Sequence, residues 1–578
     1  MRWKGPGNMK VKKRSAQSGS AQEPKARYNT PLLFVLLILF PLYGGYYNFS
    51  LLLAGTVLAV LLLVTCLKSR SLILPTGPEA WFLAGLWLCH LLTFPLAVSS
   101  GMAFTGFLRI TAWLLFFLCA ATYSAADRRV ILDALGYEGA VLALAAIVRF
   151  LWNTAHGVSD LNGRIDGPFQ YANTWALYQL VCLLLLLMKQ QRRRLDWGAM
   201  AVLVCGVFLS GSRSTYLLLL LAAAVLTVQR LRMGQRKGLL LGGGILLLCL
   251  AAAAALSRGM VLDRLRAITL SSSSLNGRLL YDLDGLKMLM RHPLGLGRGG
   301  YLYQQPLEQT GIYILRFIHN EYLQFALDAG IPGGLCALGL ALSLLLRRGT
   351  GARERLILLV ISLHALVDFD FQFGAVALLW LLCGSGGRSR TLPLRSRAPA
   401  VVCCTLAALS LYASTAYFLD FSGSAGRAYA MLPWDLELAE NRLQTYPSAA
   451  AAQPLAERIL RGTDLSMLAW DCMRTAAVER GDMPAAAEAG YRYLRLNPYR
   501  GSAYLDFTAL LESARDTAPP DEQSRYSDYA ARALARLQEV RAGTSPLAYR
   551  IAESPDWSFA EGVTDRLTAF TEKGEREK

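Results

Sequence analysis

The chain reads as an all-α protein: a polytopic helical bundle in a membrane, followed by a soluble region of helical hairpins. Three observations predict this class. Of 578 residues, 54% are hydrophobic and 17% charged, with a mean hydropathy of +0.34, whereas soluble domains carry about 25% charge. The apolar residues come in runs of about 20, the length an α-helix needs to cross a bilayer. After Asp420 those runs stop, and apolar residues recur at the spacing of amphipathic helices.

The elements follow in order. Residues 1–30 are basic and read as a disordered tail, and the apolar run after them lacks a small-residue cleavage site, as an uncleaved anchor would. Residues 31–419 form the membrane domain. Its spans are expected near 31–47, 50–67, 79–98, 104–125, 130–152, 173–189, 197–210, 213–229, 238–257, 320–346, 356–368, 372–385 and 399–419, hence 12–14 crossings. Basic residues cluster in alternate turns, at Lys68/Arg70, Arg128/Arg129, Lys189–Arg194, Arg230–Lys237, Arg347–Arg355 and Arg388–Arg397. The positive-inside rule assigns those turns and the N-terminus to the cytoplasm. The opposite side then carries two long connections, 153–172 and 258–319. The second is too long for an idle link, and its stretch LLYDLDGLKMLM has helical spacing, so an ordered element near the membrane surface is expected. Residues 420–578 fall on the same outer side. There, Trp470, the turn Gly481-Asp482, Ala486, Leu494 and Pro498 stand as in a tetratricopeptide hairpin, a scaffold that offers a surface to a protein partner.

Of the net charge of +18, the tail from Asp420 carries 19 basic and 24 acidic residues, so residues 1–419 hold +23. Membrane orientation explains that excess without nucleic acid. Ten of eleven cysteines lie in apolar segments and no C-x-x-C occurs, which gives neither a disulfide framework nor a zinc site.

Charge inside apolar segments is costly and marks function by default. Arg109, Arg149 and Arg213 fall at outward ends of spans, and Arg164, Arg278 and Arg316 in the outer connections. A guanidinium fork suits phosphate oxygens; snorkelling is the plainer account of Arg109 and Arg149. Arg213 lies in LSGSRSTYLLLL, where small residues opening a helix leave N–H groups free for an anion. Among the histidines, His90 reads as a core residue, His156 has no motif around it, and His292 in RHPLGLG suits a turn as well as a site. His319, followed by Asn320 and Glu321, stands where the long connection enters a span and could accept a hydroxyl proton. After His364, DFDFQF sets Asp368 and Asp370 two apart, for acceptor binding, arginine pairing or a shared cation. GLGRGG lacks the preceding strand of a dinucleotide site.

The stretch HNEYLQFALDAGIPG resembles the signature of the O-antigen ligase and O-antigen polymerase superfamily, which His319, Asn320, Gly330 and Gly333 satisfy. GPFQYANTWALY resembles the family's entry to a span, through Asn173; SGSRSTYL carries its membrane arginine at Arg213; NGRLLYDLDGLKMLMRHPLGLG carries its loop arginine at Arg278 and the His-Pro-Leu-x-Gly turn. The resemblance covers residues 160–385. It implies a transferase that moves a glycan from an undecaprenyl-diphosphate carrier to an acceptor hydroxyl, on a glycan or lipid, at the outer face of the cytoplasmic membrane. It further implies that Arg213 and Arg278 hold the diphosphate and His319 is the base, with neither nucleotide nor metal. Arg164, Asn173, His292, Arg316, Asn320, Asp368 and Asp370 complete the expected substrate-binding set. A lipid-linked glycan flippase or transporter is the rival reading, although it predicts internal repeats that the sequence lacks; a membrane-anchored scaffold is a third.

Overall fold

In the computed structural model, residues 43–158, 163–189, 191–232, 234, 236–269 and 271–576 are described; residues 1–30 and most of the first expected span, 31–47, lie outside them. Helices dominate. The first half comprises α1 (Asn48–Ser69), α2 (Pro78–Leu92), α3 (Ser100–Ala120), α4 (Ala125–Ala155), α5 (Ala172–Leu187), α6 (Arg194–Leu209), α7 (Arg213–Arg232) and α8 (Arg236–Leu256). The expected outer connection is itself helical, with α9 (Met260–Arg266), α10 (Ser273–Arg291) and α11 (Gly300–Glu308). The bundle closes with α12 (Glu321–Leu346), α13 (Ala352–His364), α14 (Gly374–Gly384) and α15 (Ala398–Phe421).

Six of these, α1, α3, α4, α7, α12 and α15, are long and apolar enough to cross a membrane, and a seventh crossing results if the pair Leu246–Leu256 and Met260–Arg266, bent by 113°, counts as one span. Hydropathy alone suggested 12–14. The difference lies largely in helices such as α5 and α14, which are apolar but short: 11 residues rise only about 17 Å, against about 30 Å of hydrocarbon. Every residue of α14 is buried, so its apolar run reflects enclosure by protein. Large exposed side chains such as Trp81, Val141, Leu335 and Val401 form the rim instead, as lipid-facing positions do.

The basic turns gather at one end of the bundle. There the antiparallel strands Ser71–Pro75 and Ser389–Pro393 pair Leu74 with Arg390. Three helices have one terminus beside those turns and the other toward the opposite end: α5 between Lys189 and Asn173, α12 between Arg347 and Asn320, and α13 between Arg353 and His364.

The far end is built around a break in α12. Ala329 and Gly330 leave helical geometry, Gly330 with φ +77°. The carbonyls released there accept from the GLGRGG turn, Leu296 N–H to Leu327 O at 2.8 Å and Gly297 N–H to Asp328 O at 3.0 Å, while Ile331 N–H reaches Pro293 O at 2.9 Å. A Cβ on Gly330 would lie 2.8 Å from the Leu294 carbonyl carbon. The signature glycine is thus fixed by backbone packed on backbone.

The tail continues as α16 (Ala425–Met431), α17 (Leu436–Leu443), α18 (Ala449–Gly462), α19 (Met467–Glu479), α20 (Met483–Arg495), α21 (Gly501–Thr517), α22 (Pro520–Gly543) and α23 (Ala560–Arg576). α19 and α20 form a hairpin whose turn has Gly481 at φ +72° and Asp482 capping Ala485 N–H at 3.1 Å. The tail docks on the far end: Gly101 N–H donates to Trp434 O at 3.1 Å, Tyr417 to Asp435 at 2.6 Å, and Ser545 N–H to Thr310 O at 2.9 Å.

Candidate functional site

His319 stands at the far end, immediately before α12. Asn320 caps that helix by accepting from Leu323 N–H at 3.2 Å, Ile318 N–H donates to Gln324 at 2.8 Å, and Glu321 N–H donates to Ala365 O at 2.8 Å. The backbone carrying the imidazole is therefore pinned on both sides. Its ring meets the edge of Phe369 at 5.2 Å and lies 5.9 Å from Tyr281. Nδ1 is buried with no hydrogen-bond partner. Burial pushes the His319 pKa below its ordinary value; Asp368 opposes that and Arg278 reinforces it. The neutral form, the one that accepts a proton, is favoured.

Asp368 is fully buried and accepts four hydrogen bonds, from Tyr171 Oη at 2.8 Å, Asn173 Nδ2 at 2.9 Å, Phe369 N–H at 3.0 Å and Arg278 Nη2 at 3.1 Å. Burial alone would raise its pKa, but His319, Arg278, His364 and Tyr171 more than offset this and hold the carboxyl ionised. Asn173 bridges onward: its Oδ1 accepts from Arg164 Nη2 at 2.6 Å, and Arg164 Nε donates to Ser210 O at 2.7 Å. Arg278 keeps a buried Nε without a partner, while its side chain as a whole stays 20% exposed.

Arg213 opens α7 and reaches over to Ala267 O at 2.9 Å and to Ser274 Oγ. It interacts electrostatically with Arg278 and with Arg264 of α9, and Arg264 acts likewise on Arg164. Four guanidiniums from four segments thus share one field, with Asp368 as the acid that pairs with Arg278. Arg264 escaped the sequence reading because nothing marks its short helix as part of a site. Asp282 escaped it too: half-buried beside Asn320, it is raised by burial to about 6, with Asn320 and Arg278 acting in the opposite sense.

The two acids of DFDFQF serve different partners. Asp370 is fully buried and bonds His364 Nδ1 at 2.6 Å and Thr174 Oγ1 at 2.8 Å, while His364 Nε2 meets Ser214 Oγ at 2.9 Å. Asp370 therefore ties α5, α7 and α13 together behind the site, whereas Asp368 takes the arginine-pairing role. Among the described residues, no three His, Cys, Asp or Glu side chains gather as a metal ligand set.

Arg316 lies apart from the cationic group. It donates to both carboxylate oxygens of Glu437 on α17 at 2.6 Å, and with Arg298 it flanks the Phe317 ring. These residues border a cavity of about 190 Å³ that also includes Tyr303, Tyr417 and Glu440. A second cavity, of about 160 Å³, is lined by Phe369 together with Tyr43, Tyr46, Tyr47, Phe169, Tyr171 and Phe373. His292 closes α10 as a turn residue, its carbonyl accepting from Gly295 N–H at 2.9 Å. Arg109 does not snorkel: it is buried and bonds Asn48 at 3.2 Å and Gln372 O at 2.8 Å. Arg149 pairs with Asp166 at 2.7 Å.

The family model described as O-Antigen ligase matches residues 198–338, a stretch that includes Arg213, Arg264, Arg278, His319 and Asn320 but not Asn173 or Asp368. No curated protein and no solved structure matches the chain. The likeness to the O-antigen ligase family is thus carried by residues 198–338, the stretch that holds His319 and three of the four guanidiniums.

Proposed function

We propose that the protein transfers a glycan from an undecaprenyl-diphosphate carrier to an acceptor sugar hydroxyl on the outer side of the cytoplasmic membrane. The observation that carries this reading is a neutral, half-buried His319 set beside the Arg278–Asp368 pair, within the field of Arg164, Arg213 and Arg264. His319 takes the acceptor proton as the hydroxyl oxygen bonds the donor's anomeric carbon. The bond from that carbon to the phosphate oxygen breaks, and the diphosphate leaves with the electron pair. Arg213, Arg264 and the exposed part of the Arg278 side chain stabilise the charge developing on it. Arg164 and Asn173 keep Asp368, and through it Arg278, in position.

This division of labour needs no metal, since fixed cations balance the leaving group. The two cavities suit sugar rings, one through aromatic faces and the other through arginines, carboxylates and Phe317. The helical tail, docked beside Arg316, is proposed to present an acceptor or a protein partner. The test is transfer by the purified full chain, given a lipid-diphosphate-linked oligosaccharide and a glycan acceptor in EDTA. Product formation supports the reading. Activity lost in EDTA and restored by a divalent ion would refute the metal-free mechanism.

A further inference from the structure

The end of the bundle opposite His319 holds a cavity of about 670 Å³, within the range of ligand sites (~300–1,000 Å³). Its wall carries Arg128, Arg129, Lys189, Arg193, Arg347 and Arg353 against two acids, Asp133 and Glu354. The positive-inside rule accounts for the sign of these residues but not for their convergence. They come from the start of α4, the α5–α6 turn and the α12–α13 turn, over 200 residues apart in sequence, and they face one concavity. Several are held there. A Cβ on Gly386 would strike the Arg128 guanidinium at 2.6 Å; Arg347 Nε bonds Thr350 at 3.2 Å and lies 3.8 Å from Glu79; Lys189 lies 3.3 Å from Asp196.

Arg353 distinguishes this cavity from a solvated basic face. It is 9% exposed, binds Asp133 through Nη1 and lies 3.6 Å from Glu354, yet its Nη2 is buried with no partner. A buried cationic donor left unpaired is costly, and an anion in the cavity that Arg353 lines would satisfy it after a small turn of the guanidinium. Arg129 and Arg193 are exposed at the rim, placed to meet the same anion.

We infer that this cavity binds a phosphate-bearing anion, with Arg353 as the buried anchor and Arg129, Lys189 and Arg193 as the wall. The ligand chemistry is one or two phosphate groups, on an anionic lipid headgroup or free in solution; basic pockets between membrane helices recognise both by charge-assisted hydrogen bonds. Occupancy would join three turns at the ends of helices that carry Asn173, Asn320 and His364 at their other ends.

The test is native mass spectrometry of the full-length protein in detergent, titrated separately with phosphatidylglycerol, phosphatidylcholine and inorganic pyrophosphate. The comparison is with Arg129→Gln/Arg193→Gln, whose rim positions leave folding intact, and with Arg353→Gln. Phosphatidylglycerol bound in preference to phosphatidylcholine, and weakened about tenfold or more in the double variant, supports a lipid source. Pyrophosphate bound with the same sensitivity supports a free anion. His319→Ala, at the other end, should bind both probes as the parent does. If neither anion is preferred over phosphatidylcholine, or the double variant binds as tightly as the parent, the inference is overturned.

Discussion

Replacing Asp368 by Asn removes the charge that pairs with Arg278 while keeping an oxygen for Tyr171. The two groups are 3.1 Å apart, the carboxylate fully buried and the arginine side chain 20% exposed. At that separation and an effective dielectric near 20, their attraction is about 5 kcal/mol, most of which compensates for desolvating them. Asp368→Asn leaves a largely buried guanidinium uncompensated, a loss of about 3–5 kcal/mol in stability. Arg278→Gln should cost a similar amount by leaving the carboxylate unpaired. The double variant leaves neither charge, so it should be less destabilised than the sum of the singles by about 2–3 kcal/mol. Denaturant unfolding of the purified protein in detergent, followed by tryptophan fluorescence, measures all three. Additivity within about 0.5 kcal/mol would refute the pairing, and with it the account of how Arg278 is held.

The same two substitutions should move the acid limb of the kcat/KM profile in opposite directions. His319 works in its neutral form with a pKa below its ordinary value, so the parent's rate should fall only below about pH 6.5. Arg278 lowers that pKa and Asp368 raises it, so residual activity in Arg278→Gln should fail at a higher pH than in the parent, and in Asp368→Asn at a lower one; shifts of equal sign would contradict the geometry. Gly330→Ala meets both a positive φ and the Leu294 backbone, and should lower stability by about 2 kcal/mol or more and impair transfer, as read by a thermal melt and the transfer assay; a neutral result would mean that the α12 break is not fixed by that contact. For topology, a cysteine at Ser524 on α22 should react with an impermeant maleimide in intact cells, whereas labelling only after lysis would put His319 on the wrong side for a lipid-linked donor facing outward.

Much of this architecture was legible in the sequence because hydropathy and charge are local signals. The one-sided basic turns emerged as one end of the bundle, and the expected element at 258–319 is α10 with its neighbours. Hydropathy does not distinguish an apolar helix enclosed by protein from one facing lipid: α5 and α14 are apolar but shorter than the long spans, and α14 is wholly enclosed by protein. At the site, Arg164, Asn173, Asp368 and Arg278 are linked by hydrogen bonds beside His319, in motifs the sequence carries far apart. Partners distant in sequence could not be read: Glu437, which engages Arg316, is 121 residues away, and His364 and Thr174 take Asp370 inward. Arg264 and Asp282 have no motif, and only the folding of α9 and α10 against the bundle reveals them.

The central claim is that His319 accepts the acceptor's proton while the arginines hold the diphosphate, and His319→Ala tests it most directly. In single-turnover transfer by purified protein, with donor binding measured in parallel, the rate should fall about 10²–10⁴-fold while donor affinity stays within about twofold of the parent. Normal transfer by a correctly folded His319→Ala protein would contradict the claim and direct attention to Asp282, a titratable group beside Asn320.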